Sequence, residues 1–181
     1  GGGWTVQAAQ ALQRFAENWC LPVGNAFRFQ DTFDNHHRLY AGDVGIGINP
    51  KLAARIRNSD LILAIGPRLG EMTTSGYTLL EAPRPSQKLV HIHASAEELN
   101  RVYQADLAIC ATMNAAARSL EVLTAPPALR WADWSAAAHA DYEANLIPQA
   151  LPGDIDMPAV VATLQKHLPP DAVVTNGAGN F

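Results

Sequence analysis

The hydrophobic positions of this chain follow two spacings, one typical of helices and one typical of buried strands. Apolar residues recur every three or four positions from Val6 to Trp19, which predicts a helix with one buried face that ends before Pro22. Pro22-Val23-Gly24 then predicts the start of a short strand. The polar stretch that follows, residues 27–43, is predicted to be a loop.

Further along, helices and strands alternate. Asn49-Pro50 is a helix-start signal and predicts a helix over residues 51–58. Continuous apolar runs predict strands over 60–66, 88–93 and 106–111, with a short helix over 96–103 and another over 114–123. The first run is apolar on both faces, as in the centre of a parallel sheet. We therefore expect an α/β fold with a doubly wound, Rossmann-like parallel sheet.

The alternation stops at Ala125-Pro126-Pro127, which indicates a domain boundary. Beyond it the periodicity predicts helices over residues 129–146 and 157–168 and a new strand beginning at Asp171. Because a glycine turn opens the chain and another closes it, both ends fall inside βα units. We therefore expect the chain to be part of a longer protein.

Composition excludes several classes of protein. Apolar residues make up 48% of the chain and charged residues 17%, as in ordinary globular domains. The net charge of −4 offers no basic stripe for nucleic acid, and no apolar run reaches the roughly 20 residues that span a membrane. Cys20 and Cys110 have no metal-ligand spacing, and Cys110 lies in an apolar run, so we expect it to be a buried free thiol. A cytoplasmic location is the expectation.

Two residues stand where a doubly wound sheet places its ligand crevice, at the carboxyl ends of strands. Arg68 follows the strand of 60–66 directly, and its guanidinium suits a phosphate or carboxylate. An ion pair with Glu71 or Asp43 is the alternative. His93 ends the next strand and is expected near the crevice, whereas His91 on the same strand face is expected to be structural.

Another possible site, a metal centre at Asp34, His36 and His37, is disfavoured because adjacent histidines in a polar loop point in different directions. No metal ligand is predicted, and no catalytic residue either.

Four segments in order resemble the middle domain of thiamine-diphosphate-dependent enzymes of the acetolactate synthase type. They are GGGW followed by a helix and LPVG, then YAGDVGIGINPKLAARIRNSDLILAIGPRLGE, then KLVHIHASAEE, and then DLAICATMNAAARSLEVL. The closing DAVVTNGAGNF is similar to the opening of that family's third, diphosphate-binding domain.

The resemblance implies a domain organisation. Residues 1–124 correspond to the middle, nucleotide-binding-like domain without its first strand. Residues 125–156 correspond to a linker with a helix, and residues 157–181 to the truncated start of the thiamine diphosphate domain. The family's catalytic glutamate and its metal-binding motif belong to regions that these 181 residues do not contain.

The resemblance also assigns cofactor-binding residues. Those carried over from the flavin-binding pattern are Gly1, Gly2, Gly3, Gly45, Gly47 and Arg68. Those carried over as thiamine diphosphate contacts are Gly177, Gly179 and Asn180. Two departures count against FAD or ADP: the family's I-D-x-D-P is replaced by Ile92-His93-Ala94-Ser95-Ala96, and its Gly-Asp by Ala111-Thr112.

The implied activity belongs to the intact enzyme. It would use thiamine diphosphate and Mg2+ to decarboxylate a 2-oxo acid such as pyruvate and pass the product to an acceptor, as a homo-oligomer, a dimer or tetramer. The present chain alone is expected to be a structural and inactive part of it. The alternative is a Rossmann-type module that binds FAD or ADP or has a regulatory role.

Overall fold

The computed structural model describes residues 2–149 and 152–175 of the chain. The chain divides into two compact units, Gly1–Ala144 and Asn145–Phe181.

Parallel strands and connecting helices form the larger unit. Its strands are β1 Val23–Ala26, β2 Tyr40–Val44, β3 Leu61–Ile65, β4 Lys88–His93 and β5 Leu107–Cys110. Its helices are α1 Val6–Trp19, α2 Pro50–Arg57, α3 Met113–Glu121 and α4 Ala132–Asn145, and 3-10 turns lie at Gln30–Thr32 and Ala96–Glu98. The predicted α/β fold with parallel strands is confirmed.

The strands are arranged in two sheets. One is the pair β1-β2, and the other has the order β3-β4-β5. Every pairing is parallel. A parallel pair requires a crossover connection, and all strands in such a sheet end at the same edge.

Alternation along β4 separates the two faces of its sheet. Leu89 is fully buried in a cluster with Ala53 of α2 and Ala64 of β3. Ile92 points into a different cluster, with Met113 and Ala116 of α3. Both faces of this sheet are therefore covered by helices, as the run of 60–66 led us to expect.

Local signals in the sequence explain where the helices begin. The Thr5 hydroxyl accepts a hydrogen bond from the Ala8 amide at 3.2 Å and caps α1. The Asn49 side chain accepts one from the Lys51 amide at 3.0 Å and caps α2, as predicted. Ala8 and Ala11 of α1 meet Ala117 of α3, where small side chains let the two helices approach closely.

Polar contacts hold helix α4 and the residue before it, Trp131, against the rest of the larger unit. Asp141 bonds Arg55 of α2 at 2.6 Å and Lys51 at 3.0 Å. His139 Nδ1 lies 2.8 Å from the Tyr40 carbonyl oxygen, so this nitrogen carries the proton that it donates. The Trp131 indole N–H donates to the Trp19 carbonyl at 2.7 Å.

Three predictions of local structure in the larger unit are wrong. The loop predicted over 27–43 contains the start of β2, whose Tyr40 and Ala41 are buried. The helix predicted over 96–103 is only the 3-10 turn Ala96–Glu98, because Asn100 adopts a positive φ of 60° and its side chain accepts from the Ala105 amide. Cys110 is exposed, because β5 is the edge strand of its sheet.

The smaller unit contains helix α5, Met157–His167, capped by the Asp156 carboxylate, which accepts from the Ala159 amide at 3.3 Å. Val161 and Leu164 on this helix are exposed. Residues 171–175 form no strand, so the predicted strand is not found there, and the rest of that segment lies outside the described residues. Among the described helices, none is long and apolar enough to cross a membrane.

The burial of β4 can be tested with two leucines in strands. We expect Leu89→Ala to lower the free energy of unfolding by about 2–5 kcal/mol, because it leaves a cavity in the core. Leu107→Ala on β5 is the matched control, since this leucine is 51% exposed, and should change stability by less than about 1 kcal/mol. Urea unfolding followed by circular dichroism measures both, and equal losses would contradict the arrangement.

Candidate functional site

The candidate site lies where the parallel strands of the larger unit end. Gly45 and Gly47 follow β2, Arg68 follows β3 and His93 closes β4. The structure therefore places these four predicted residues at carboxyl ends of strands. Gly1, Gly177, Gly179 and Asn180 lie outside the described residues.

Arg68 belongs to a cluster of three charges. Its Nε lies 3.5 Å from Glu98 Oε1, and Arg101 Nη1 lies 3.2 Å from the same oxygen. The Glu98 side chain is only 15% exposed, while that of Arg68 is 75% exposed. A carboxylate at this depth requires a positive partner, and two guanidinium groups supply it. The alternative considered for Arg68, an ion pair with Glu71 or Asp43, is wrong about the partner, which is Glu98.

Asp43 has a different environment, at the carboxyl end of β2. Its Oδ1 is buried and has no hydrogen-bond partner among the described residues. Burial raises the pKa of this carboxyl, and a hydrogen bond from Gln30 opposes the rise. Asp43 therefore adds a second acidic group to the carboxyl-end edge, separate from the Arg68 cluster.

A polar cavity of about 190 Å³ lies beside the Arg68 cluster. Its polar lining consists of Arg68, Tyr77, His91, Glu98, Arg101 and Tyr103. Tyr103 is 2% exposed, and its buried hydroxyl has no partner among the described residues. A cavity of this size holds a few waters or a small ligand.

His91 faces this cavity and takes part in the fold through one ring nitrogen. Its Nε2 lies 2.9 Å from the Pro67 carbonyl oxygen, so Nε2 carries the proton. Burial lowers the pKa of His91, the bond to Pro67 opposes that effect, and the neighbouring His93 adds to the lowering. A neutral His91 on β4 therefore stabilises the loop after β3 through its hydrogen bond to the Pro67 carbonyl.

His93 is partly exposed and does not line the cavity. Its Nδ1 accepts a hydrogen bond from the Ser95 amide at 3.0 Å, which closes a tight turn. In the resemblance drawn from the sequence, His93 and Ser95 take the places of two carboxylates. Neither residue supplies the anionic acceptor that would hold the ribose hydroxyls of a nucleotide, so this part of the crevice does not fit FAD.

The predicted glycines serve two physical purposes. Gly3 and Gly47 have positive φ angles of 86° and 74°, a conformation that strains other residues. A Cβ added at Gly45 would lie 2.8 Å from the Phe27 Cβ, so this glycine is required by packing. At Gly2 the nearest atom would be 4.0 Å away, and that position tolerates a side chain.

The histidine-rich loop has contacts of its own. His37 Nε2 lies 2.9 Å from Glu17 Oε1 of α1, and the His36 amide donates to Asp34 Oδ1 at 2.9 Å. Within residues 2–149 and 152–175, no three histidine, cysteine or acidic side chains are grouped to hold a metal ion.

Reasoning from the sequence missed Arg101 and Tyr103 as parts of the site. The expected helix over 96–103 would have placed them on a covering helix, whereas the turn at Asn100 brings both to the cavity. The signal was available in Asn100 itself, since asparagine favours turns and tolerates positive φ.

Comparison with known proteins identifies the family. Residues 1–120 match the family described as "Thiamine pyrophosphate enzyme, central domain", and the chain belongs to this family. The acetolactate synthase large subunit of Corynebacterium glutamicum is 28% identical over 186 residues, covering 99% of this chain and 29% of the relative. The acetolactate synthase of Mycobacterium avium is 27% identical over 187 residues, covering 99% of this chain and 30% of the relative.

A relative with another printed name is also similar. The sulfoacetaldehyde acetyltransferase of Castellaniella defragrans is 25% identical over 121 residues, covering 66% of this chain and 20% of the relative. The chain spans about 29% of the length of the acetolactate synthase of Corynebacterium glutamicum.

Protonation of His91 should weaken the fold. Because its folded pKa lies below the unfolded value near 6.5, the unfolded state binds more protons as the pH falls. The stabilisation is therefore complete above about pH 6.5 and is lost toward the folded pKa, at up to about 1.4 kcal/mol per pH unit. Urea unfolding between pH 5 and 8 measures it.

Two glutamine variants separate this effect from general acid sensitivity. His91→Gln keeps an N–H for the Pro67 carbonyl but cannot be protonated, so it should flatten the loss of stability. His36→Gln, in an exposed loop, should leave the pH profile unchanged. An unchanged slope in His91→Gln would show that His91 does not carry the effect.

Proposed function

We propose that this chain is the scaffolding central domain, with adjoining residues, of a thiamine-diphosphate-dependent enzyme that decarboxylates a 2-oxo acid such as pyruvate and transfers the product to an acceptor. One observation carries the proposal. The acetolactate synthases match along 99% of the chain, beyond the 1–120 region that defines the family. Their printed names supply the proposed reaction.

The chain's own share in this reaction is positional. Thiamine diphosphate, held with Mg2+ in the intact enzyme, supplies the electron sink for decarboxylation. We place Gly177, Gly179 and Asn180 among the groups that contact it, and the other cofactor ligands in regions outside these residues. The central domain contributes a rigid core, covered by helices on both faces of β4.

A scaffolding role is favoured over nucleotide binding because the polar side chains of the crevice already bond one another. The Glu98 carboxylate, on a side chain that is 15% exposed, engages both guanidinium groups beside the cavity, which leaves Arg68 and Arg101 only part of their capacity for an anion. His93 Nδ1 accepts a hydrogen bond from the Ser95 amide, and neither residue is a carboxylate that could bind ribose hydroxyls. A flavin or ADP would have to compete with these internal contacts.

A nucleotide-binding or regulatory module is the second candidate. It is supported by the wide exposure of Arg68 and by the positive φ angles of Gly3 and Gly47, which allow backbone N–H groups to approach a phosphate. Both candidates are compatible with a homo-oligomeric enzyme, a dimer or tetramer, which we propose from the family resemblance. We propose a cytoplasmic location from the two cysteines, which form no disulfide.

Enzyme assays test the main proposal. The full-length protein supplied with thiamine diphosphate and Mg2+ should consume pyruvate or a related 2-oxo acid and release carbon dioxide. The 181-residue chain under the same conditions should give only the background rate. Turnover by this chain alone would contradict its role as a scaffold, and a full-length protein inactive on 2-oxo acids would contradict the proposed reaction.

Calorimetric titration distinguishes the two candidates. If the domain is a scaffold, FAD and ADP should bind with a Kd weaker than about 1 mM, which corresponds to about −4 kcal/mol. Micromolar binding of ADP that Arg68→Ala abolishes would instead support the nucleotide module. Arg84→Ala is the matched control, because Arg84 is exposed and bonds only Gln104 at 2.8 Å among its described contacts.

A further inference from the structure

The cavity beside Arg68 is lined by residues other than the glycine turns of the crevice. Within the described chain, neither Gly45 nor Gly47 lines it, and His93 does not line it either. Its volume of about 190 Å³ is below the roughly 300–1,000 Å³ of pockets that take drug-sized ligands, so a nucleotide does not fit inside it. The ligand that suits this cavity is therefore a small molecule.

The two guanidinium groups of the cavity are only partly engaged by Glu98. Arg68 Nε and Arg101 Nη1 both approach the same oxygen, Glu98 Oε1, at 3.5 Å and 3.2 Å. A guanidinium paired with a carboxylate often forms two parallel N–H···O bonds, one to each oxygen. Neither arginine forms such a pair among the described residues, so each keeps N–H donors that a second carboxylate can use.

The charges around the cavity favour a ligand with one negative charge. Arg68 and Arg101 contribute two positive charges and Glu98 one negative charge, which leaves a net charge of +1 on the lining. His91 also lines the cavity, but burial lowers its pKa, so its ring is neutral near pH 7. A carboxylate balances this charge and matches the planar guanidinium, whereas a phosphate ester carries about −1.5 to −2.

The other walls of the cavity supply a hydrogen-bond donor and apolar contacts. Tyr103 is 2% exposed, and its ring is fixed in the core cluster that contains Leu89. Its buried hydroxyl has no partner among the described residues, although buried hydroxyls are normally hydrogen-bonded. An acceptor oxygen in the cavity would supply that partner. Leu69 and Val102 line the same cavity and can contact an apolar chain.

We propose that this cavity binds a small monocarboxylate with a short apolar chain. Arg68 donates two parallel hydrogen bonds to its oxygens, and Arg101 and the Tyr103 hydroxyl donate further ones. The ligand competes with Glu98 for the arginines, and it succeeds because two parallel bonds are stronger than the single contacts that Glu98 makes. The proposal does not depend on the thiamine diphosphate reaction, which the enzyme assay tests separately.

NMR titration of the 181-residue chain with propanoate gives the first test. At constant ionic strength, propanoate should shift the amide signals of Gly70 and Val102 in a saturable way, with a millimolar Kd as expected for so small a ligand. Propanamide, an uncharged analogue of the same shape, should bind at least about tenfold more weakly. Equal binding of the two compounds, no saturable shift, or tighter binding of inorganic phosphate would overturn the proposal.

Variants of the lining residues give the second test. Arg68→Gln should weaken propanoate binding at least about tenfold, and Tyr103→Phe, which removes only the hydroxyl, about fivefold. Glu98→Gln should strengthen it at least about fivefold, because the competing charge is removed. Arg84→Gln is the matched control and should leave binding unchanged, since Arg84 is exposed and bonds Gln104.

A purely structural role of Glu98 predicts a different pattern, in which a folded Glu98→Gln variant binds propanoate no better than the unchanged chain. That result would overturn the proposal, as would equal effects of Arg68→Gln and Arg84→Gln. Unchanged binding by Tyr103→Phe would overturn the part assigned to the hydroxyl. Circular dichroism shows whether each variant folds. If Glu98→Gln does not fold, Arg101→Gln replaces it, with an expected weakening of at least about fivefold, since Arg101 is 66% exposed.

Discussion

The parallel pairing of β3 and β4 is the interaction on which the rest of the larger unit depends. Parallel strands cannot be joined by tight turns, so each pairing requires a crossover that covers a face of the sheet. The fully buried Leu89 packs toward α2 on one face, and Ile92 packs toward α3 on the other. The same parallel direction places Arg68 and His93 at one edge, which means that the core packing and the position of the site have a common cause.

The charges at that edge are largely balanced within the chain. Glu98 is held between Arg68 and Arg101, and the adjoining cavity keeps a buried Tyr103 hydroxyl without a described partner. Because the Glu98 side chain is only 15% exposed, the two arginines compensate its carboxylate for part of the solvation that it loses. An anionic ligand at this position would have to bind the two arginines more strongly than the Glu98 carboxylate does.

Much of the fold could be predicted because its signals are local. Apolar runs correctly predicted β3, β4 and β5, and Asn49 followed by Pro50 correctly predicted the start of α2. The beginning of β2 was missed because Leu39, Tyr40 and Ala41 form too short an apolar run in a polar stretch, and their burial arises from α1 and α4. The partner of Arg68 was missed for a related reason: Glu98 is 30 residues away along the chain, and only the β3-β4 pairing brings the two together.

The crevice also shows why a fold of this kind does not by itself establish a bound nucleotide. Gly47 lies in the turn that links β2 to α2, and Gly3 lies just ahead of α1; such turns can keep their positive φ angles whatever the crevice holds. Recognition of a ribose requires acceptor side chains, and those are surface groups that can change with little effect on packing. At His93 and Ser95 the chain closes a turn on itself where a carboxylate would be needed. The backbone conformation is therefore characteristic of the family, whereas the side chains at the carboxyl ends of the strands determine which ligands the domain can bind.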